Sequence, residues 1–188
     1  MRDFRYPLLI LSIVVIVFSG CSRNRSKSAD TGRDTIVTNV AEVSSVAKRG
    51  DKVPNFSWKD EHGKVVDYDS YHGKVTLINF WATWCGPCRN EVPDLISMSR
   101  ELAGRNVKVI GISEDRGSSV IDDVKSFVKE NGIPYQILVS NDELDESFRN
   151  VRMLPTSFIV NEEGTIVQSF VGIRTKEFLT QAIIAALK

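Results

Sequence analysis

Two cysteines enclosing a Gly-Pro pair, Cys85-Gly86-Pro87-Cys88, carry the most specific chemistry in the chain. A Cys-x-x-Cys spacing serves either as a redox dithiol or as half of a metal site. A structural zinc centre needs two further ligands. The candidates are Cys21, His62 and His72, and neither histidine has ligand-like spacing to the pair, so no metal is expected. The redox reading has a physical basis. At the first turn of a helix a thiolate meets unpaired backbone N–H groups and the positive end of the helix dipole, which lowers the cysteine pKa and generates the attacking species near neutral pH. Cys85 is expected at that position. Cys88, one turn deeper, is near enough to close a disulfide with it and less exposed, which suits a resolving thiol. Pro87 lacks only the N–H that a first-turn position leaves unpaired anyway.

The elements that must hold this pair are legible around it. Val75 to Trp81 (VTLINFW) is a nearly continuous apolar run, as in a central strand covered on both faces, and the pair follows its C-terminal end. Before it, Val53 to Trp58 reads as a strand, with a Gly63 turn and Val65-Val66 starting the return arm of a hairpin. After it come a helix over Glu91 to Leu102, a buried-type strand over Val107 to Ser113, and a helix over Val120 to Glu130. Tyr135 to Val139 reads as a strand and Glu143 to Val151 as a short helix. Thr156 to Val160 and Thr165 to Val171 form a hairpin around Glu163-Gly164, and Lys176 to Leu187 is a closing helix. Strands alternating with helices and ending in a hairpin imply an α/β fold with a mixed sheet. Pro93, inside the first helix, removes one hydrogen bond and is expected to kink it. Trp81 reads as core and Arg89 as an exposed base beside the pair.

With 188 residues and 42% apolar side chains, the chain suffices for one well-buried domain and not for two of ordinary size. Its 24 basic residues balance 24 acidic ones, which argues against a nucleic-acid partner. The balance is uneven along the chain: residues 1–50 hold 8 basic and 4 acidic side chains, net +4, and residues 51–188 hold 16 and 20, net −4. Arg2 and Arg5, the apolar run Leu8 to Phe18, and then Ser19-Gly20-Cys21 have the order of an export signal. The run of 11 residues is short for a membrane-spanning helix, which takes about 20. Residues 22–50, rich in Ser, Thr, Arg and Lys without sustained period, read as a flexible tether. The expected organisation is therefore a signal peptide over 1–20, a segment over 21–50 that opens with Cys21 and continues as a tether, and a folded domain over 51–188.

The segment Asn79-Phe80-Trp81-Ala82-Thr83-Trp84-Cys85-Gly86-Pro87-Cys88-Arg89, with Pro93 and the downstream Leu154-Pro155-Thr156, resembles the thioredoxin superfamily, and its longer form resembles the exported TlpA/ResA-like branch. The likeness covers about residues 51–188 and implies a thioredoxin-like mixed sheet flanked by helices, with an N-terminal hairpin and a strand-helix insertion over about 118–140. It further implies that Pro155 is cis and faces the dithiol, where the adjoining backbone, Leu154 and Thr156, pairs with an extended substrate. Trp84, with Gly86 and Pro87, would form the site rim. Phe-Ser-Gly-Cys21 resembles a bacterial lipoprotein processing box with Phe18 where an aliphatic residue is usual; an ordinary cleaved signal is the alternative. Asn79 stands where thioredoxin has a buried Asp. Asn accepts no proton at ordinary pH, so another base is needed for Cys88. Glu114, at the C-terminal end of a parallel strand, is the candidate, and Asp115 competes with it.

The resemblance implies a membrane-anchored, extracytoplasmic thiol:disulfide oxidoreductase without cofactor, in which Cys85 attacks a protein disulfide and Cys88 resolves the intermediate. A membrane dithiol protein would restore its electrons. The Cys-x-x-Cys-His segment of an apocytochrome c is one expected substrate, and exported proteins in general are another. An oxidase and a non-catalytic lipoprotein binding module remain as alternatives. A peroxidase is disfavoured, because the chain lacks that family's Pro-x-x-x-Thr-x-x-Cys arrangement.

Overall fold

A computed structural model describes residues 37–43, 50–60, 62–148 and 151–187. The signal peptide expected over 1–20 and the lipidation expected at Cys21 both fall outside the described residues. Eight strands form one mixed sheet. They are β1 (Val37–Val43), β2 (Phe56–Lys59), β3 (Val65–Asp67), β4 (Val75–Trp81), β5 (Val107–Ser113), β6 (Gln136–Val139), β7 (Thr156–Val160) and β8 (Ile166–Val171). Their order across the sheet is β3-β2-β1-β6-β5-β4-β7-β8. Strands β1, β6, β5 and β4 run parallel; β7 and β8 on one side, and β2 and β3 on the other, are antiparallel additions. Four α-helices are found among the described residues: α1 (Gly86–Glu101), α2 (Val120–Asn131), α3 (Asp142–Ser147) and α4 (Lys176–Ala186).

Every residue of β4 is buried, so consecutive side chains feed two cores. Leu77 and Trp81 pack with Val92, Leu95 and Met98 of α1, Val124 and Val128 of α2, and Leu179 and Ile183 of α4. Ile78 and Phe80 enter the second core with Phe56, Trp58, Tyr68, Leu144 and Phe148. That core is aromatic: Phe80 and Phe148 have ring centroids 5.0 Å apart, and Phe56 stacks on Tyr68 at 4.9 Å. The 3₁₀ turn carrying Tyr68, over Tyr68–Tyr71, was not expected from the sequence.

The predicted α/β class, the hairpin of β2 and β3 and the inserted α2-β6 unit are all present, and β4, β5 and β7 have the predicted bounds. Two expectations are corrected. Helix α1 begins at Gly86 rather than Glu91, since the apolar periodicity starts only after the polar first turn has been laid down. More consequentially, part of the segment expected as a tether is strand β1, inserted between β2 and β6. Val37 and Val40 are buried in different cores. Their odd spacing places them on opposite faces of a strand, so no two-residue alternation betrays them. The strand draws its definition from distant partners, pairing Val37 with Ile137 and Val40 with Trp58.

A chain beginning at residue 51 is therefore expected to be less stable than one beginning at residue 36. Losing two buried valines costs about 3 kcal/mol, or roughly 6–12 °C in Tm. Thermal unfolding followed by circular dichroism checks this, and equal melting of the two chains would contradict the placement of β1.

Candidate active site

Strand β4 delivers the chain to the site and α1 begins where it leaves the sheet. Cys85 is the N-cap of α1, with extended φ/ψ of −79° and 105°, and its sulfur accepts the backbone N–H of Cys88 at 3.2 Å. Pro87 falls at a first-turn position, as expected. The two sulfurs are joined in a disulfide with Cα atoms 5.2 Å apart. Both are shielded, Cys85 at 5% exposure and Cys88 at 1%, so the more accessible of the two residues is the one at the helix N-terminus. Helix α1 continues through Pro93, whose ring leaves the Arg89 carbonyl without its usual i+4 partner.

The approach to Cys85 is held by a buried carboxylate. Asp115 accepts the Thr83 backbone N–H at 2.9 Å and the Thr83 hydroxyl at 2.6 Å, and the Ser113 hydroxyl donates to it at 2.7 Å. Its oxygens are thus spent on Thr83, two residues before Cys85, and on Ser113 at the end of β5. This separates it from Glu114: Asp115 braces the loop, and Glu114 lines the cleft. The Glu114 backbone N–H bonds the Trp81 carbonyl, tying the end of β5 to the end of β4.

A cleft of about 580 Å³ opens at Cys85, lined by Trp84, Cys85, Gly86, Pro87, Glu114, Arg116, Val151, Arg152 and Leu154. The Leu154–Pro155 peptide is cis, and the Thr156 hydroxyl donates to the Met153 carbonyl at 2.7 Å. Of the substrate-contact residues expected from the sequence, Trp84, Gly86, Pro87 and Leu154 meet in this cleft. Pro155 and Thr156 are buried behind its edge. Trp81 is core, its ring 5.1 Å from Phe127, and Arg89 lies over Phe127 at 6.0 Å.

Glu114 does not face α1 alone. Its Oε2 accepts from Arg116 at 3.2 Å, and Arg116 also pairs with Asp145. Burial and the neighbouring Asp145 raise the Glu114 pKa from 4.5 to about 7, against the lowering influence of Arg116.

A second carboxyl was missed by the sequence reading. Glu91 stands one turn beyond Cys88 on α1 and is 1% exposed. Asn79 on β4 donates to its Oε2 at 3.1 Å and to Ser157 Oγ at 2.9 Å, and the Arg174 backbone N–H donates to Oε1 at 2.8 Å. Burial raises its pKa, partly opposed by those two hydrogen bonds and the Arg174 charge. The available signal was spacing: Cys88, Glu91, Val92 and Leu95 share one face, and a carboxyl on a core-facing stripe needs partners. Asn79, read as unable to take a proton, is the donor that holds the group able to do so.

Comparison with known proteins agrees with this geometry. The family model of the AhpC/TSA family matches residues 49–169. The chain is 31% identical over 130 residues to the thiol-disulfide oxidoreductase ResA of Bacillus thuringiensis (strain Al Hakam), covering 69% of this chain and 73% of that protein. Among solved structures, a thiol:disulfide interchange protein of the thioredoxin family from Chlorobium tepidum TLS has a TM-score of 0.66 at 30% identity, covering 75% of this chain and 99% of its own. The pneumococcal exposed lipoprotein thioredoxin of Streptococcus pneumoniae has a TM-score of 0.60 at 26% identity, over 70% of this chain and 98% of its own. The sheet and its flanking helices are thus a thioredoxin-like fold.

The raised Glu114 pKa has a measurable consequence. The native state keeps this proton up to about pH 7 while the unfolded chain releases it near 4.5, so the group's contribution to stability falls as pH rises through that window. Glu114→Gln, which cannot titrate, is expected to flatten the fall in urea midpoint between those two pH values. An unchanged slope would contradict the raised pKa.

Proposed function

We propose a reductive function on the premise that the chain belongs to the AhpC/TSA thioredoxin-like family and is a thiol:disulfide oxidoreductase. In this reading Cys85 is the nucleophile. Its reduced thiolate, favoured by the α1 N-terminus, attacks one sulfur of a substrate disulfide; the substrate S–S bond breaks and the leaving sulfur takes the electron pair. Cys88 then loses its proton and attacks Cys85, releasing the second substrate thiol and closing Cys85–Cys88. One substrate disulfide becomes two thiols and the protein dithiol becomes a disulfide, so electrons balance without a cofactor. Glu91, three residues beyond Cys88 on α1, is the acceptor for the Cys88 proton; Glu114, whose Oε2 accepts from Arg116, is the alternative.

The observation that carries a protein substrate is the surface around the dithiol. Trp84 is 69% exposed and Met153 62%, and Val171 and Ile173 are exposed as well. Val171 pairs with Thr156, and the Gly172 N–H bonds the Pro155 carbonyl at 2.8 Å, so these apolar side chains border the same cis-proline edge. Exposed apolar groups gathered at one place mark a docking surface. An extended substrate backbone would lie along Leu154, Pro155 and Thr156, with Trp84 as its apolar platform.

The proposed setting is extracytoplasmic, with residues 1–20 removed and the chain held to a membrane through lipid on Cys21; the likeness to an exposed lipoprotein thioredoxin supports it. Re-reduction by a membrane dithiol protein follows from that setting, and the Cys-x-x-Cys-His segment of an apocytochrome c is the specific substrate proposed.

Cys88→Ala expressed in its own cells is expected to accumulate mixed disulfides on Cys85, identifiable by mass spectrometry, and the Cys85→Ser, Cys88→Ala pair to accumulate none. Captured apocytochrome c supports cytochrome maturation, and a broad set of exported cysteine proteins supports general disulfide reduction. No Cys85-dependent capture would overturn the exchange mechanism.

A further inference from the structure

The charged side chains lining the cleft are not equivalent. Glu114 and Arg116 are paired at 3.2 Å, and Arg116 is shared with Asp145, itself bonded to the Ser140 hydroxyl. Arg116 also spends a donor on the Asp115 carbonyl at 3.1 Å. Its positive charge is therefore offset within the protein. Arg152 differs. It is exposed, lines the same cleft, and has no hydrogen bond or ion pair among the described residues. It lies three residues before Pro155, between Val151, which also lines the cleft, and the exposed Met153. An uncommitted guanidinium thus shares the cleft with the paired Glu114 and Arg116 and with the apolar Trp84, Val151 and Leu154.

We propose that Arg152 is a specificity residue that selects protein disulfides whose cysteine is flanked by acidic side chains. This rests on the exchange reading above and adds a substrate class to it. A guanidinium offers a planar fork of donors suited to a carboxylate. An apolar surface with low-dielectric walls strengthens such a pair relative to open solvent, and a lysine-flanked substrate is repelled by the same charge. Of the negative groups nearby, Glu114 keeps its proton to about pH 7, which leaves Asp145 paired with Arg116; Asp115 is held by Thr83 and Ser113, and Glu91 is buried on α1.

The test uses the reduced protein and short peptides whose single cysteine is joined by a disulfide to thionitrobenzoate. One peptide carries Asp on both sides of the cysteine, one Lys, and one Ala. Cys85 attacks the peptide sulfur, the thionitrobenzoate anion leaves with the electron pair and is read by its absorbance, and Cys88 then frees the peptide thiol. The Asp peptide is expected to react roughly tenfold faster than the Lys peptide at low salt, with the ratio approaching one in about 0.5 M salt. Arg152→Glu is expected to invert the ratio and Arg152→Lys to preserve its direction. Equal rates for the Asp and Lys peptides, or a ratio unmoved by Arg152→Glu, would overturn charge selection while leaving exchange intact. Failure of all three peptides to release the anion in a Cys85-dependent way would overturn both.

Discussion

The site depends on a single junction: a strand buried on both faces ends and, within a few residues, a helix begins with a cysteine as its cap. A helix start leaves backbone N–H groups without carbonyl partners, and these groups favour negative charge. The Cys88 N–H already points at the Cys85 sulfur at 3.2 Å. The fold therefore offers the Cys85 sulfur a backbone donor of the kind that favours negative charge. Because β4 is wholly buried between two cores, the position of its end is rigidly set, and the dithiol inherits that rigidity.

Around this junction polar groups are used sparingly. Asp115 binds Thr83 and so fixes the loop between β4 and Cys85. Asn79, Ser157 and the Arg174 backbone enclose Glu91, a carboxyl held in the interior by hydrogen bonds that reach β4, β7 and the segment leading into α4. A buried acid so placed retains its proton to higher pH than a solvated one, which matches the task of receiving and returning a proton beside Cys88. Outside, the pattern reverses: Trp84, Met153, Val171 and Ile173 present apolar surface where a substrate can displace water.

Much of this was legible in the residues, for definite reasons. The Cys-Gly-Pro-Cys spacing after an apolar run located the dithiol, and the continuous apolar runs of β4 and β5 located the sheet centre, because strands covered on both faces need no polar alternation. Strand β1 was not legible: its two described buried valines face opposite cores, and its pairing comes from β2 on one side and, on the other, from β6, about a hundred positions away. Glu91 was not recognised because its partners, Asn79 and Arg174, lie on other elements and meet it only in the folded chain. For Glu114 the location at a strand end was right, since it lines the cleft; its engagement with Arg116 and Asp145, across α3, required the tertiary structure.

The central claim, that the α1 N-terminus makes Cys85 the attacking thiolate, is tested most directly by alkylating the reduced protein with iodoacetamide across pH and mapping the modified cysteine. The account predicts that Cys85 reacts with a midpoint below about 8.5, the value of an ordinary thiol, while Cys88 stays unmodified. A Cys85 midpoint at or above that value, or equal modification of both cysteines, would contradict it.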